Sequence, residues 1–144
     1  MAYKGRYSPL NPKKYQGNPT NIIYRSLWER KFMVWCDMNS DVIKWGSEET
    51  VIPYISPLDN KRHRYFVDFY IQVRTKEGIL KSYLVEVKPK KYTKPPEKSP
   101  TRKSKSWFGE VKAWGINSAK WKAASEYAKD RHWEFIILTE DHLK

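Results

Sequence analysis

Alternation of apolar and polar positions is clearest between Arg64 and Lys88. The runs Arg64-Tyr65-Phe66-Val67-Asp68-Phe69-Tyr70-Ile71-Gln72-Val73 and Leu80-Lys81-Ser82-Tyr83-Leu84-Val85-Glu86-Val87-Lys88 are both rich in aromatic and β-branched residues, which suit a pleated, half-buried surface. Arg74-Thr75-Lys76-Glu77-Gly78 separates them, with a glycine near the tip as a hairpin requires. A turn centred near Glu77 sets Val73 opposite Lys81, Ile71 opposite Tyr83, Phe69 opposite Val85 and Val67 opposite Val87. Side chains alternate along a strand, so these positions share one face, predicted to point into the core. The other face carries Phe66, Asp68 and Tyr70 opposite Lys88, Glu86 and Leu84.

Helical periodicity comes before and after this hairpin. Ser26-Leu27-Trp28-Glu29 has the form of a capping box and opens a predicted helix to about Met38. Trp28, Phe32 and Trp35 fall on its expected buried stripe. Short strands are predicted at Val42–Trp45 and Thr50–Ile55, with turns at Gly46-Ser47 and Pro57-Leu58-Asp59-Asn60. Later in the chain, Trp107–Trp114 predicts a short helix ended by Gly115. Asn117 then caps a second helix running from Ser118 to about Arg131. Packing into the core is the expected role of Trp107, Trp114 and Trp121. His132–Leu138 predicts a last strand, parallel to a neighbour because a helix precedes it, and Thr139-Glu140-Asp141-His142 a closing helical turn. The order α, β, β, β, β, α, α, β gives an α/β (α+β) fold with a mixed sheet and helices packed on it.

Composition changes this picture at two places. Residues 1–25, rich in Gly, Pro, Lys, Asn and Tyr, read as an extended basic arm partly ordered by Tyr7, Tyr15 and Tyr24. Residues 26–144 then form a single domain, as the chain length suggests. Residues 88–105 are lysine-rich, contain four prolines and hold only one acid, Glu97. Proline forbids a regular helix or central strand there, which predicts a long flexible basic loop. The formal net charge is +12, with 28 Lys and Arg against 16 Asp and Glu, which calls for a polyanionic partner. No apolar run is long enough to span a membrane and the first residues show no signal-type apolar core, so nucleic acid is expected rather than a membrane. Cys36 is the single cysteine, which excludes an internal disulfide and a cysteine zinc cluster.

The candidate chemistry sits in the hairpin. The expected register sets Asp68 across from Glu86, with Cβ atoms roughly 4.5–5.5 Å apart. Two carboxylates so placed repel, unless a divalent cation between them turns repulsion into binding. Lys88 shares the face of Glu86. Hard oxygen ligands suit Mg²⁺ or Mn²⁺, which activates water and stabilises charge on a phosphodiester. A lysine on that face orients or deprotonates the water, or neutralises developing charge. The plainer alternative is a surface ion pair of Glu86 with Lys88 or Lys90. Glu29 reads either as the cap partner of Ser26 or as a third acid reaching the site, and both readings stay open. Glu48 and Glu49 flank a strand and read either as further metal ligands or as exposed charge at a strand entrance, which is the commoner case. His63, with no second histidine nearby, reads as a surface or DNA-facing residue. Candidate phosphate-binding residues are Lys61, Arg62 and Arg64 before the hairpin, Lys90, Lys91, Lys94, Arg102, Lys103 and Lys105 in the basic loop, and Lys120 in the second helix.

An acid on the first helix (Glu29), then Asp68, then Glu86-x-Lys88 on consecutive strands resembles the PD-(D/E)xK nuclease superfamily. Within it the chain is similar to the head completion nucleases of contractile-tailed bacteriophages. That similarity rests on Met1-Ala2-Tyr3, Tyr24-Arg25-Ser26, Trp45-Gly46-Ser47-Glu48, Val51-Ile52-Pro53-Tyr54, Arg64-Tyr65-Phe66, Glu86-Val87-Lys88-Pro89-Lys90-Lys91, Lys120-Trp121-Lys122-Ala123-Ala124 and Leu138-Thr139-Glu140-Asp141. The resemblance implies a restriction-endonuclease-like core and a Mg²⁺- or Mn²⁺-dependent nuclease acting on double-stranded DNA. It also implies a virion protein that enters the filled head at the portal vertex before tail joining, next to portal or neck proteins. By the same resemblance Asp68, Glu86 and the main-chain carbonyl of Val87 hold the metal, Lys88 assists the attacking water, and Glu29 is a ligand in a subset of members. The superfamily pattern places Pro before the first Asp, where this chain has Val67. Two other readings stay open: a basic structural head or neck protein that binds DNA without cutting it, and a transposon- or junction-type endonuclease of the same superfamily.

Overall fold

The computed structural model describes residues 4–97 and 105–143. Arg102 and Lys103, and residues 98–104 of the predicted basic loop, lie outside the described residues.

The mixed α/β expectation holds. A central four-stranded sheet is built from β3 (Val42–Ser47), β6 (Phe69–Arg74), β7 (Leu80–Val87) and β8 (Glu134–Leu138), in the order β3-β6-β7-β8. Its first three strands are antiparallel, and β8 lies parallel to β7. Two smaller antiparallel pairs flank it, β1 (Gly5–Tyr7) with β2 (Ile22–Tyr24) and β4 (Val51–Ile55) with β5 (Arg62–Phe66). Helix α1 (Leu27–Met38) covers one face of the central sheet and α2 (Lys105–Asp130) the other. A last turn, α3 (Glu140–Leu143), returns to α1 and buries Leu143.

The hairpin register is as expected from Phe69 opposite Val85 to Val73 opposite Lys81. Beyond Phe69 the structure departs from a single long arm. The segment splits into β5 and β6, with Val67 and Asp68 crossing between two sheets. Val67 N–H donates to Thr50 O at 3.0 Å and Glu48 N–H to Asp68 O at 3.1 Å. These bonds satisfy the backbone where it leaves one ladder for the other. The second face of the hairpin is also buried. Phe69, Ile71, Val85 and Val87 pack under α1 with Phe32, Met33, Cys36 and Trp45. Tyr70 and Leu84 pack under α2 with Ile52, Tyr65, Val67, Ala124 and Ala128.

Three further expectations are corrected. On α1, Trp28 and Trp35 are 36% and 46% exposed, and the buried face is Phe32, Met33, Cys36 and Asp37. A carboxylate is turned inward because it is saturated with donors: Tyr7 Oη at 2.5 Å, Leu10 N at 2.8 Å and Asn11 N at 3.0 Å. Residues 4–25 are accordingly no extended arm. Tyr7, Tyr15 and Ile22 are buried in the core under α1. Lys14 Nζ donates to the carbonyls of Asp37 and Asn39, tying this segment to the helix C-terminus. Finally, the two helices predicted around Gly115 are one helix, about 39 Å long at 1.5 Å per residue. A glycine inside a helix costs only about 1 kcal/mol, and α2 continues through it to pack on β4, with a Cβ at position 115 meeting Pro57, after that strand, at an ordinary 3.6 Å.

Burial alone would raise the Asp37 carboxyl, but the hydrogen bonds from Tyr7, Leu10 and Asn11 outweigh it and hold it below the usual range. Its stabilising contribution is therefore complete above the unfolded value near pH 4 and is lost as pH falls through the lower folded value. Asp37→Ala leaves these donors unpaired and should cost about 3 kcal/mol. Urea unfolding checks this, with the difference from wild type shrinking below about pH 4.

Candidate active site

Asp68, Glu86 and Lys88 come together where β6 begins and β7 ends. Glu86 is the penultimate residue of β7, paired with Ile137, and is buried. One of its oxygens, Oε1, accepts the Tyr65 hydroxyl at 2.5 Å, and the other, Oε2, lies 3.8 Å from Lys88 Nζ. Lys88 N–H donates to Leu138 O at 2.9 Å, which fixes its backbone against β8. Asp68 stands just past the last recorded β6–β7 pair, and its Oδ2 accepts Val87 N–H at 2.8 Å. Each carboxylate is thus oriented through one oxygen by a hydrogen-bond donor. The salt-bridge alternative for Glu86 is present as this loose contact with Lys88. Lys90 instead pairs with Asp141 at 3.0 Å.

Glu29 serves the cap and shares the site's field. Its N–H donates to Ser26 Oγ at 3.1 Å, and its carboxylate accepts Arg25 N–H at 3.3 Å. Burial raises its carboxyl, with Glu48 and Glu86 adding to the rise. Glu48 is held by an ion pair with Arg25 and sits at φ 55°, a backbone conformation that costs a non-glycine residue about 1–2 kcal/mol. That conformation turns its N–H onto Asp68 O. Asp68 is pushed well above the usual carboxylate range by burial first, then by the Glu86 charge, with Glu29 and Glu48 contributing and the Val87 hydrogen bond opposing. Burial and the Glu86 charge also raise the Tyr65 hydroxyl, which stays a proton donor at any ordinary pH.

Glu29, Glu48 and Glu86 thus all act electrostatically on Asp68, Arg25 pairs with Glu48 and Lys88 lies 3.8 Å from Glu86. Among the described residues no three His, Cys, Asp or Glu side chains form a ready-made metal cage. That is no obstacle for Mg²⁺, which is commonly bound through one or two carboxylates and keeps several waters. The donor set fits a hard divalent cation at Asp68 and Glu86.

The candidate phosphate-binding residues divide. Lys91 and Lys94 are exposed beyond Lys88. Lys120 projects from α2 over the Tyr54 and Tyr65 rings, 5.9 and 5.4 Å from their centroids, and the Tyr65 hydroxyl in turn donates to Glu86. Lys105 is exposed at the start of α2. Lys61 is exposed on the turn before β5. Arg62 and Arg64 project from β5 on the face opposite Tyr65, away from Glu86. His63 pairs with Asp59 on the surface. Sequence reasoning missed Tyr65 and Arg25. No spacing signal marks either, because both reach the acids only through the break at Val67 and Asp68 and the fold of β2.

The chain matches the family model described as TnsA-like endonuclease N terminal over residues 39–140. That span holds Asp68, Glu86 and Lys88 and begins after Glu29. The chain is also 43% identical over 147 residues to the head completion nuclease of Enterobacteria phage T4, covering 100% of this chain and 95% of that protein. No solved structure matches it.

A folded-state value above the unfolded one means that ionising Asp68 opposes folding. Its penalty grows as pH rises from about 4, the unfolded value, toward the folded value. Asp68→Asn should therefore raise the thermal midpoint of the metal-free protein at neutral pH, and the gain should close toward pH 4. Differential scanning calorimetry in EDTA across that range reads it directly.

Proposed function

Because the chain belongs to the family of TnsA-like endonuclease N-terminal domains, it is a nuclease, and we propose that it hydrolyses phosphodiester bonds of double-stranded phage DNA in a Mg²⁺- or Mn²⁺-dependent reaction. The observation that carries this reading is the convergence of Asp68, Glu86 and Lys88, with an acid pair that is costly without a counter-charge. Its full-length likeness to a head completion nuclease supports a role in phage assembly. We assign its action to packaged DNA in the head before head–tail joining, next to portal or neck proteins, and its location to the head of the virion.

In this reading Asp68, Glu86 and the Val87 carbonyl hold the cation. A bound divalent ion there lowers the pKa of a water and offsets charge on the phosphorane. The residues of the chain do the rest. Val87 N–H and the Tyr65 hydroxyl fix the two carboxylates, so that little reorganisation is needed when substrate arrives. Lys88, 3.8 Å from Glu86 Oε2, is placed to orient the attacking water or to neutralise developing charge. Glu29 is assigned as a further ligand, with the Arg25 N–H bond as the contact it gives up or shares.

Cleavage of linear and circular duplex DNA with Mg²⁺, Mn²⁺ or EDTA tests the reading. Asp68→Asn and Lys88→Ala should each lose at least about 100-fold in rate while still binding DNA in EDTA. Binding without cutting by the wild type under every metal would instead favour a structural DNA-binding role. Cutting of the circular substrate identifies the endonuclease.

Tyr65→Phe separates positioning from chemistry. It removes one hydroxyl from Glu86 and should weaken Mn²⁺ binding by about 10-fold, as expected when a ligand loses its outer partner. Calorimetric titration of the metal measures this without turnover.

A further inference from the structure

Trp107 and Trp114 were expected in the core, yet neither joins either buried cluster. With Tyr92 they line a groove of about 890 Å³ between the segment after β7 and the first half of α2. Lys88 forms part of the same groove, so it is continuous with the catalytic residues. Lys91 and Lys94 line it too, and Lys91 Nζ lies 4.8 Å from the Tyr92 ring centroid. These lysines outnumber the carboxylates there, Glu97 and Glu110. Trp107 Nε1 donates to Glu97 O at 3.0 Å, which pins the indole across from the lysine-bearing wall. Gly109 also lines the groove, and among the described residues a Cβ at that position would meet nothing within 4 Å. No packing contact among these residues accounts for a glycine inside this helix, whereas a bare backbone lets a ligand approach closely.

Aromatic faces interleaved with cations are what binds single-stranded nucleic acid: bases stack on the rings and phosphates meet the lysines. The volume is on the scale of sites for small ligands, about 300–1,000 Å³. It admits a few unstacked bases and excludes a duplex. We propose that this groove holds a short unpaired stretch of the DNA substrate, with bases on Tyr92, Trp107 and Trp114 and phosphates on Lys91 and Lys94. Lys88 then receives the phosphodiester next to that stretch, and cutting is directed to junctions between duplex and unpaired strand. The proposal rests on the nuclease reading for its last step only.

The test compares a blunt duplex with the same duplex carrying a short oligo-dT tail, by fluorescence anisotropy in EDTA. The tailed duplex should bind about 10-fold tighter, within the range expected for stacking of one to two bases. A Tyr92→Ala, Trp107→Ala double variant should lose that advantage while its affinity for the blunt duplex changes less than about twofold. A Lys91→Gln, Lys94→Gln pair should flatten the salt dependence of tail binding by about 1.4 in log–log slope. Equal wild-type affinity for the two substrates overturns the proposal, as does a tail preference that the aromatic variant retains. If the aromatic variant loses both substrates alike, the lysine pair decides, and an unchanged tail preference there overturns it. Since no metal is present, a tail preference without cleavage in a parallel Mn²⁺ assay would refute the nuclease reading and leave the groove standing.

Discussion

The crossing of the chain at Val67 and Asp68 is the constraint on which the site depends. Continued alternation from Phe69 and Ile71, which face α1, would send Val67 and Tyr65 to that same side. Instead both lie with Tyr70 and Leu84 under α2. The chain changes phase at Asp68, and the change is held by Thr50 O on one side and Glu48 N–H on the other. Glu86 shares the parity of Leu84, so the phase change is what lets the Tyr65 hydroxyl reach it. It also takes Asp68 out of the ladder, where its carboxylate meets Val87 N–H rather than a cross-strand side chain. An uninterrupted hairpin would keep the two acids opposite each other but would orient neither.

Two buried acids show how the same residue type serves opposite ends. Asp37 is surrounded by donors and is held ionised, so its charge fastens residues 4–25 to α1. Asp68 has one backbone donor and three acids in its field, so its charge opposes the fold. Burial acts in the same direction on both, and the count of donors against nearby carboxylates decides the sign. A fold that retains the second arrangement gives up stability at a place where charge can be met from outside, which is the pattern expected of a functional site.

Most of the sheet was legible in the sequence, because register in a half-buried hairpin is strongly specified by alternation. The pairing from Phe69 with Val85 to Val73 with Lys81, the parallel β8 and the Ser26 cap all follow from period and capping chemistry. The misreadings share one cause, which is that a local rule was overruled by a distant partner. Trp28, Phe32 and Trp35 read as the buried stripe of α1 until Tyr7 and the backbone of Leu10 and Asn11 are brought against Asp37 on the inner face. Gly115 reads as a stop until β4 offers the helix a surface to continue along. Trp107 and Trp114 read as core because large aromatics usually are. The pair Asp68 and Glu86 was legible as a juxtaposition, whereas the bonds that orient it were not.

The distribution of positive charge narrows how DNA approaches. A net charge of +12 attracts phosphates to the whole surface, whereas Lys88 and Lys120 stand on the side of the small sheet that carries Tyr65 and Glu86. Arg62 and Arg64 project from its outer face, and Lys90 is engaged by Asp141. Lys120 stands over the Tyr65 ring on the inner side, and Lys88, Lys91 and Lys94 run from the acids into the groove beside α2. The uninterrupted length of α2 links these two sets, since its middle carries Lys120 and its first turns carry Trp107. A helix broken at Gly115 would leave the groove wall free to move relative to the acids. Continuity through that glycine therefore holds the cations and the carboxylates in one frame, on the side where Tyr65 already orients Glu86.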